Sequence, residues 1–542
     1  MVNLQKIKYF INKNLTLSKT SAALLITGLI FLLYNSPLII NLFTTSLSND
    51  FSINNLAKLF MELSLHFFLV FLFFFCCSFN NFIFKSATFI TFLFLTIFIF
   101  VYNKLGIIID QTIIDNALEN FSDASSALDL SSIVLYLIIF LIIPFSVVYK
   151  IKITKEGGKK TLIIAAIIIL LFSIILSNFN YQIRKGMMVA YPPISLIDSA
   201  TEYFKNISPS LKNNRNLTPI TSIIPDAKFA PEKIKNLKIV LIIGESARSK
   251  NFSINGYNRK TSPLLEKENN LLSFKDVEPC KNLTSYSVSC MLSHKTSKNF
   301  AFKKNREESV IKLFNNLGFT TAWFSTQKAF GDDNSLLLLA LQAQKYFFSN
   351  TVSKKIGANQ LYDGYLLDFL KKEVDNPKDN FVILHTQGSH FLFDDRYPDD
   401  FKKFTPTCRK SSPKDCKKED LINSYDNSIL YSDYFISKVI DSLKDKNAIL
   451  FYISDHGQFL GENNKYYHGN SDDFTQAEHR VPMFLWMSDG VLKNKFYKNK
   501  FKNANLKINT KLSHDNLFDS LLDCSGVKAR ILDRNLSICL KY

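Results

Sequence analysis

Five stretches of this chain carry essentially no charged side chain over roughly 17 to 22 residues each, at about 22–43, 63–84, 86–103, 130–149 and 161–179. A helix of that length crosses a hydrocarbon core of about 30 Å, with some tilt or thinning for the shorter stretches. Five of them within 180 residues are not expected as buried helices of a soluble protein. A cleaved signal peptide is disfavoured, because the first stretch is long, contains Pro37 and is followed by four more. We therefore predict a membrane domain of five transmembrane helices over residues 1–180.

Lysine placement predicts the orientation of this domain. The first 19 residues contain four Lys and no acidic residue, and the segment 150–160 contains five Lys against Glu156. The segment between the third and fourth stretches carries five acidic residues against Lys104 alone. Because basic loops stay on the cytoplasmic side, we expect the amino terminus in the cytoplasm and everything after about residue 180 on the outer side.

The net charge of +18 is unevenly distributed, with +4 in residues 1–180 and +14 in residues 181–542. The +4 of residues 1–180 is explained by the Lys residues of the cytoplasmic segments, which set the orientation of the helices. The larger share suits either docking against anionic lipid headgroups or a solvated surface. With 47% hydrophobic residues the chain is too apolar to be disordered, and nothing in it indicates a nucleic-acid partner.

Residues 236–542 have the pattern of an α/β domain, in which short apolar runs alternate with helix-like segments. Residues 181–235 form a connector that precedes this domain. Its amphipathic run at 194–204 suits either the membrane interface or packing on the soluble domain.

Three apolar runs of this domain are predicted strands that end in reactive side chains. LKIVLIIGESAR (237–248) ends in Glu245, FVILHTQGSH (381–390) in His385 and then His390, and AILFYISDHGQ (448–458) in Asp455 and His456. Ligands bind at the carboxyl ends of strands in open α/β sheets. A carboxylate from one strand and an Asp-His pair from another make an oxygen and nitrogen ligand set suited to Zn²⁺.

A hydroxyl-rich segment between two cysteines, CKNLTSYSVSCMLSH (280–294), supplies candidate nucleophiles. A hydroxyl at the start of a helix here would lie at the positive end of the helix dipole, where a phosphoryl group is stabilised. Metal coordination would lower the pKa of that hydroxyl. Spacing does not choose among Thr284, Ser285 and Ser287.

The cysteines agree with an exported domain. Two of the eight, Cys76 and Cys77, lie in the second apolar stretch. The other six fall in three close pairs in the second half, and in an oxidising compartment such pairs predict disulfides. Nearest-neighbour pairing is the simplest of about fifteen connectivities.

Taken together, the chain resembles the lipid A phosphoethanolamine transferases of Gram-negative inner membranes, the group that includes the mobile colistin-resistance enzymes. The resemblance covers nearly the whole chain and implies five membrane helices and a periplasmic α/β domain of the sulfatase-like (alkaline phosphatase) superfamily with a mostly parallel sheet. Its motifs are GESAR (244–248), the 280–290 segment, LHTQGSH (384–390), NSYDNSILYSDYF (423–435), SDHGQFLGENNKYYHG (454–469) and HRVPMFLW (479–486).

The resemblance implies a zinc centre and a nucleophile. Glu245, Asp455 and His456 would bind one Zn²⁺, and Thr284 would be the metal-bound nucleophile that becomes phosphorylated. Two of the implied disulfides, Cys280–Cys290 and Cys408–Cys416, are features of the family, and Cys524–Cys539 is the pair that remains.

Further site residues follow from the same resemblance. His390 and His468 would contact the phosphoryl group or leaving oxygen, or hold a second zinc, and His385 would have a supporting role in substrate binding. Asn116 matches a lipid-headgroup residue of the family, and Lys328 is a candidate for its phosphate-binding Lys, although the register differs.

The sequence also departs from the family at particular positions. Gln458 follows the SDHG motif where the family usually has Glu, and Asn120 and Ala124 stand where Thr and Glu are expected in the acidic outer loop. These changes leave the implied chemistry in place and bear on which acceptor fits.

The expected reaction transfers phosphoethanolamine from phosphatidylethanolamine to a lipid A phosphate or another envelope acceptor. The expected enzyme is a monomer in the bacterial inner membrane. The alternatives are a phosphoglycerol transferase, a related sulfatase-like hydrolase on a membrane substrate, or a membrane receptor with a degenerate hydrolase domain. A type I sulfatase is disfavoured, since the residues after Cys290 (Met291, Leu292, Ser293, His294) do not form its C-x-[P/S]-x-R signature.

Overall fold

We describe the protein from a computed structural model. It describes residues 16–37, 39–40, 53–105, 109, 130–154, 163, 167, 192–198, 201, 217–302, 307–328, 335–349, 361–410, 413–462, 465–466, 468 and 480–540. The chain forms two compact units, and among the described residues the change from the first to the second lies between residues 201 and 217.

The first unit is built from long apolar helices. Helix α1 spans Lys19–Leu29 and continues as a π-helical segment over Ile30–Asn35. Helices α2 and α3 span Ile53–Cys77 and Asn81–Leu105. Helix α4 spans Leu130–Tyr136, continues through a π-helical segment over Leu137–Ile142, and ends with Ile143–Tyr149. A short parallel pair joins β1 (Thr16–Leu17) to β2 (Lys152–Ile153).

Three of these helices are long and apolar enough to cross a membrane: Phe60–Cys77, Asn81–Lys104 and Leu130–Tyr149. Lys19–Asn35 is a shorter apolar helix, and the predicted stretch 161–179 lies outside the described residues except at 163 and 167. Large apolar side chains are exposed on the helices, among them Leu32 (72%) and Phe82 (79%). Exposed apolar surface of this kind is what a lipid-facing helix presents.

The sequence prediction places the end of the second apolar stretch, 63–84, too late in the chain. Helix α2 ends at Cys77 and α3 begins at Asn81, so a turn interrupts the apolar run. The Asn80 side-chain oxygen accepts hydrogen bonds from the backbone N–H groups of Phe82 (2.9 Å) and Ile83 (3.2 Å), which caps the start of α3. Charge counting missed this turn because none of its residues, Ser78, Phe79 and Asn80, is charged.

Part of the segment assigned from sequence to the connector packs within the first unit. The carbonyl oxygen of Pro192 accepts a hydrogen bond from Asn35 Nδ2 (2.9 Å) and lies 2.9 Å from His66 Nε2. Both side chains are fully buried, so one backbone carbonyl pairs with one side-chain nitrogen of each residue inside an apolar helix bundle.

The second unit is organised around an eight-stranded sheet. Its strands are β4 (Leu237–Gly244), β5 (Leu271–Glu278), β6 (Thr320–Ser325), β7 (Lys345–Phe348), β8 (Asn380–His385), β9 (Asn447–Ser454), β10 (Val481–Met487) and β11 (Leu512–Ser513). They lie in the order β11-β5-β10-β9-β4-β8-β6-β7. Within this sheet only β10 runs antiparallel to both neighbours, as expected for a mostly parallel sheet. A separate antiparallel pair joins β3 (Lys228–Phe229) to β12 (Val527–Lys528).

Helices pack around this sheet. They are α5 (Ile220–Ile223), α6 (Thr284–Met291), α7 (Val310–Asn316), α8 (Ser335–Ala340), α9 (Leu366–Val374), α10 (Lys418–Asp441), α11 (Asp489–Leu492), α12 (Lys495–Asn505) and α13 (Asp515–Cys524). Every residue of β4 and β8 is buried, which explains the unbroken apolar runs at 239–243 and 381–384 in place of an alternating pattern.

The three disulfides expected from the sequence are present: Cys280–Cys290, Cys408–Cys416 and Cys524–Cys539. Cys76 and Cys77, in α2, are free thiols. The first disulfide joins the segment before α6 to a residue near the end of that helix, and so closes the candidate nucleophile segment into a loop.

Candidate active site

The site lies at the carboxyl end of two adjacent central strands. Strands β4 and β9 are parallel neighbours in register up to Gly244 and Ser454. Glu245 is therefore the first residue past one strand, and Asp455 and His456 are the first two past the other. All three side chains are fully buried. The strand-end placement that the sequence predicts for these residues agrees with the structure.

Thr284 reaches this carboxylate and imidazole group from the first position of α6. Its Oγ1 lies 3.2 Å from Glu245 Oε2 and 3.1 Å from His456 Nε2. His456 Nε2 is also 3.2 Å from Asp455 Oδ2 and 3.5 Å from Glu245 Oε1. Of the three hydroxyls left open by spacing, Thr284 is the one with these contacts, because Ser287 Oγ points instead to the carbonyl of Asp455 (2.6 Å).

Hydrogen bonds orient the candidate ligands. His456 Nδ1 lies 2.8 Å from the carbonyl oxygen of Gly457, which can only accept, so the ring proton is on Nδ1 and the Nε2 lone pair faces the site. Asp455 Oδ1 accepts the backbone N–H groups of Ser246 (3.0 Å) and His456 (2.7 Å). Asp455 Oδ2 is buried and accepts no hydrogen bond.

These atoms fit a metal ion. Glu245, Asp455 and His456 offer ligand atoms within 4.8 Å of one another, and the unbonded Asp455 Oδ2 is a buried acceptor that a cation would satisfy. Two carboxylates and an imidazole, with a hydroxyl beside them, are an oxygen and nitrogen set of the kind that binds Zn²⁺.

Without a metal, the site disfavours the ionised form of its two carboxylates. Burial, and secondly the charge of Asp455, raise the pKa of Glu245 to about 7. Burial raises the pKa of Asp455 to about 6 and lowers the pKa of His456. A divalent cation would remove this penalty, since it stabilises both ionised carboxylates and the neutral imidazole.

His390 and His468 lie beside this centre, where the sequence places them. The ring of His468 is 4.0 Å from that of His456 and 5.9 Å from that of His390, measured between centroids. His390, His468 and Glu245 form a second group whose ligand atoms lie within 4.8 Å of one another. Burial, followed by the charges of His456 and His390, lowers the pKa of His468 well below its ordinary value.

Gln458, the residue after the SDHG motif, contacts His468 directly. Its Nε2 donates to the carbonyl of Tyr466 (2.8 Å), which leaves Oε1 to accept from His468 Nδ1 (2.8 Å). His468 therefore carries its proton on Nδ1, and its Nε2 is an acceptor. Gln458 is fully buried, and its amide group contacts both Tyr466 and His468.

The remaining predicted residues are placed differently. His385 is the last residue of β8 and is buried within the sheet, where its Nδ1 is 3.1 Å from Ser325 Oγ and burial lowers its pKa to about 3. It belongs to neither ligand group. Lys328 follows β6 and is partly exposed, and Asn116 lies outside the described residues.

Sequence reasoning missed three neighbours of Glu245. Gln327 Nε2 donates to Glu245 Oε2 (2.8 Å), and Ser246 Oγ donates to Glu245 Oε1 (2.6 Å). Gly388 packs against the Glu245 backbone so closely that a Cβ on it would lie 2.8 Å from the Glu245 carbonyl oxygen. The available signal was position: Gln327 and Gly388 also follow strands that end at this edge.

The fold and site together define a sulfatase-like enzyme domain, and residues 238–527 match the Sulfatase family. Residues 67–207 match a second family, phosphoethanolamine transferase EptA/EptB. The chain belongs to the phosphoethanolamine transferase family.

Curated relatives agree with this assignment. Phosphoethanolamine transferase EptA of Escherichia coli (strain K12) is 30% identical over 78% of this chain and 79% of its own length. Phosphatidylethanolamine transferase Mcr-2 of Escherichia coli is 30% identical over 79% of this chain and 81% of its own length. Kdo(2)-lipid A phosphoethanolamine 7''-transferase of Escherichia coli (strain K12) is 32% identical over 62% of this chain, and the match spans 60% of that relative.

Solved structures share the fold. The integral membrane lipooligosaccharide phosphoethanolamine transferase A from Neisseria meningitidis matches with a TM-score of 0.79 and 22% identity, covering 97% of this chain and 98% of its own. The C-terminal periplasmic domain of EptC from Campylobacter jejuni matches with a TM-score of 0.51 and 29% identity, covering 60% of this chain and 97% of its own. The expectation of a membrane part joined to a sulfatase-like domain is thus confirmed.

Proposed function

We propose that this protein transfers phosphoethanolamine from phosphatidylethanolamine to a lipid A phosphate, or to another acceptor of the cell envelope, through a covalent phosphoethanolamine adduct on Thr284. The observation that carries the proposal is the position of the Thr284 hydroxyl. It lies within 3.2 Å of both Glu245 Oε2 and His456 Nε2, at the start of a helix and beside a carboxylate oxygen with no hydrogen bond.

In the first half-reaction, Thr284 Oγ1 gives its proton to Glu245 Oε2, to which it donates a hydrogen bond (3.2 Å), and attacks the phosphorus of the donor lipid. A bond forms between Oγ1 and phosphorus, and the bond from phosphorus to the diacylglycerol oxygen breaks. Positive charge at the amino end of α6 stabilises the phosphoryl oxygens. The departing diacylglycerol oxygen takes up a proton, for which His390 and His468 are the candidate carriers.

In the second half-reaction, an oxygen of the acceptor attacks the same phosphorus. The bond between phosphorus and Thr284 Oγ1 breaks, and Thr284 recovers its hydroxyl proton. Because His468 presents Nε2 as an acceptor, it is suited to take the proton of an attacking hydroxyl. A phosphate acceptor that is already ionised needs no such step.

Glu245, Asp455, His456 and Thr284 are the residues that would hold zinc. Zinc, when bound, supplies positive charge and lowers the pKa of a hydroxyl within its coordination sphere. Gln327 and Ser246 orient Glu245, and the Gly457 carbonyl orients His456, so the ligands are positioned before any ion arrives.

Further roles belong to the same proposal. Lys328 would bind the phosphate and Asn116 the lipid headgroup. His385 would support the site through its contact with Ser325. The helices of the first unit would hold the enzyme in the bacterial inner membrane as a monomer, with the amino terminus cytoplasmic and the catalytic domain periplasmic, where both lipids are accessible. Residues 1–180, 181–235 and 236–542 would then be membrane domain, connector and catalytic domain.

The test is mass spectrometry of the peptide containing Thr284, after the full chain has been mixed with phosphatidylethanolamine and quenched. We expect a phosphoethanolamine adduct on wild type and none on Thr284→Ala, with diacylglycerol released in step with the adduct. Thr284→Ala should fold and retain zinc. Near wild-type transfer by Thr284→Ala would refute Thr284 as the nucleophile. In a parallel reaction with phosphatidylglycerol as the donor, a phosphoglycerol adduct would establish the rival transferase activity.

The acceptor is tested separately. Mass spectrometry of lipid A and of surface glycans, from cells with and without this chain, should show added phosphoethanolamine on lipid A. Modification of core sugars or proteins alone would replace lipid A as the acceptor and leave the adduct chemistry unchanged.

A further inference from the structure

His514 is a buried histidine outside both ligand groups that contacts the two halves of the site. It precedes α13 and is 1% exposed. Its Nε2 lies 2.9 Å from the carbonyl oxygen of Ser454, at the end of β9. Its Nδ1 lies 3.3 Å from the backbone nitrogen of Cys280 and 3.0 Å from Ser287 Oγ, on the nucleophile segment.

The partners determine the form of this ring. The backbone N–H of Cys280 can only donate, so Nδ1 is an acceptor and the proton is on Nε2, which donates to the Ser454 carbonyl. Both ring nitrogens are satisfied in the neutral form. Burial lowers the pKa of His514 to about 3, so the ring is neutral near pH 7 and makes these hydrogen bonds in that form.

The segments that His514 joins are those that carry the reacting groups. Ser454 immediately precedes Asp455 and His456. Ser287 lies one helical turn after Thr284, and its hydroxyl donates to the Asp455 carbonyl (2.6 Å). Cys280 is tied by its disulfide to Cys290, near the end of α6. The ring thus connects the strand end to the start of the nucleophile loop.

We propose that His514 is a positioning residue for phosphoryl transfer, which sets the distance between Thr284 and the Asp455-His456 pair by joining the end of β9 to the nucleophile segment. This proposal rests on the proposed function, because it assumes that Thr284 is the nucleophile. A displacement of about 1 Å between reacting groups can cost about 100-fold in rate.

The experiment compares variants of the full chain. His514→Leu removes every polar contact and keeps an apolar filler. We expect kcat, and the rate at which the Thr284 adduct forms, to fall about 10- to 100-fold, with KM for phosphatidylethanolamine within about twofold of wild type. His514→Gln offers a donor and an acceptor at similar spacing and should recover most of this loss.

Ser520→Ala is the matched control. Like His514, Ser520 is buried; it lies within α13. Its Oγ accepts a hydrogen bond from the backbone N–H of Ile538 (3.0 Å), away from the nucleophile segment. Its loss should lower Tm through one missing buried hydrogen bond and leave kcat unchanged. A purely structural role for His514 predicts the same behaviour for His514→Leu.

Three results would overturn the proposal: His514→Leu with a reduced Tm but normal kcat per folded molecule, His514→Gln as slow as His514→Leu, or normal adduct formation in both. If His514→Leu does not fold, Ser287→Ala replaces it, because Ser287 contacts both His514 and the Asp455 carbonyl. An unchanged kcat in Ser287→Ala would then count against the proposal. Absence of the adduct in wild type is a different result, since it refutes the proposed function itself.

Discussion

Gly388→Ala tests whether the backbone packing behind Glu245 controls metal binding. Gly388 has a φ of +47°, and a Cβ there would lie 2.8 Å from the Glu245 carbonyl oxygen and 2.9 Å from its backbone nitrogen. The loop is restrained from moving away, because Gly388 N–H donates to Asp363 Oδ2 (3.0 Å) and Ser389 N–H donates to the Glu245 carbonyl (2.9 Å). The new methyl group must therefore displace Glu245 or break these bonds.

The expected cost has two parts. Placing Ala in the left-handed region costs about 1–2 kcal/mol. Forcing an extra carbon against a packed backbone adds about 1–3 kcal/mol. Because the displaced residue is itself a candidate zinc ligand, we also expect zinc affinity to fall about 10- to 100-fold, the effect usual for disturbing groups that support a metal ligand.

Gly256→Ala is the matched control. Gly256 also has a positive φ, +100°, but a Cβ built on it meets no atom within 4 Å. It should cost the backbone strain of about 1–2 kcal/mol and leave zinc affinity unchanged. The difference between the two variants isolates the contact with Glu245.

The assay combines a thermal melt with a zinc titration against a competing chelator. Gly388→Ala should lose more stability than Gly256→Ala, and it alone should bind zinc more weakly and transfer less phosphoethanolamine. Equal zinc affinity in the two variants would refute the reasoning, because the overlap with Glu245 would then have no effect on the site.

Two further predictions concern the charge and hydrogen bonding of the site. Because the pKa of Glu245 is raised to about 7, the zinc-free folded protein binds more protons than the unfolded chain between about pH 4.5 and 7, so its stability falls as pH rises through that window. Removing zinc with a chelator should therefore lower Tm more at pH 8 than at pH 5. The difference corresponds to on the order of 3 kcal/mol in the free energy of unfolding. An equal drop in Tm at both pH values would contradict the raised pKa of the buried Glu245 carboxylate. In Gln458→Glu, a carboxylate oxygen would face the Tyr466 carbonyl in place of the donating amide, so transfer should fall. Activity equal to or above wild type would show that the bond to Tyr466 does not matter.

Much of the site was predictable from local pattern. Glu245, Asp455 and His456 each follow a continuous apolar run, and such runs become buried parallel strands whose carboxyl ends meet at one edge. Thr284 needed the family resemblance, because spacing left Ser285 and Ser287 as equal candidates. The tertiary structure separates them by contact: Ser287 bonds to the Asp455 backbone, and Thr284 reaches the ligands.

Other features depend on residues far apart in the chain and had no local signal. His514 lies 227 residues from Ser287 and 60 from Ser454, and nothing in its own neighbourhood indicates that it touches both. His385 has the sequence position of a site residue, yet the structure buries it beside Ser325. Whether a polar side chain at a strand end turns outward or into the sheet depends on what packs over it.

By itself, the sequence determined the apolar helices of the first part, the mostly parallel sheet of the second, and which reactive side chains stand at its edge. These follow from hydrophobic length and period, which are local properties. Only the tertiary structure decided the 3.1 Å approach of Thr284 to His456 and the packing of Gly388 behind Glu245. Both are contacts between segments far apart in the chain, and close packing of the whole domain determines their distances, which residue order alone does not.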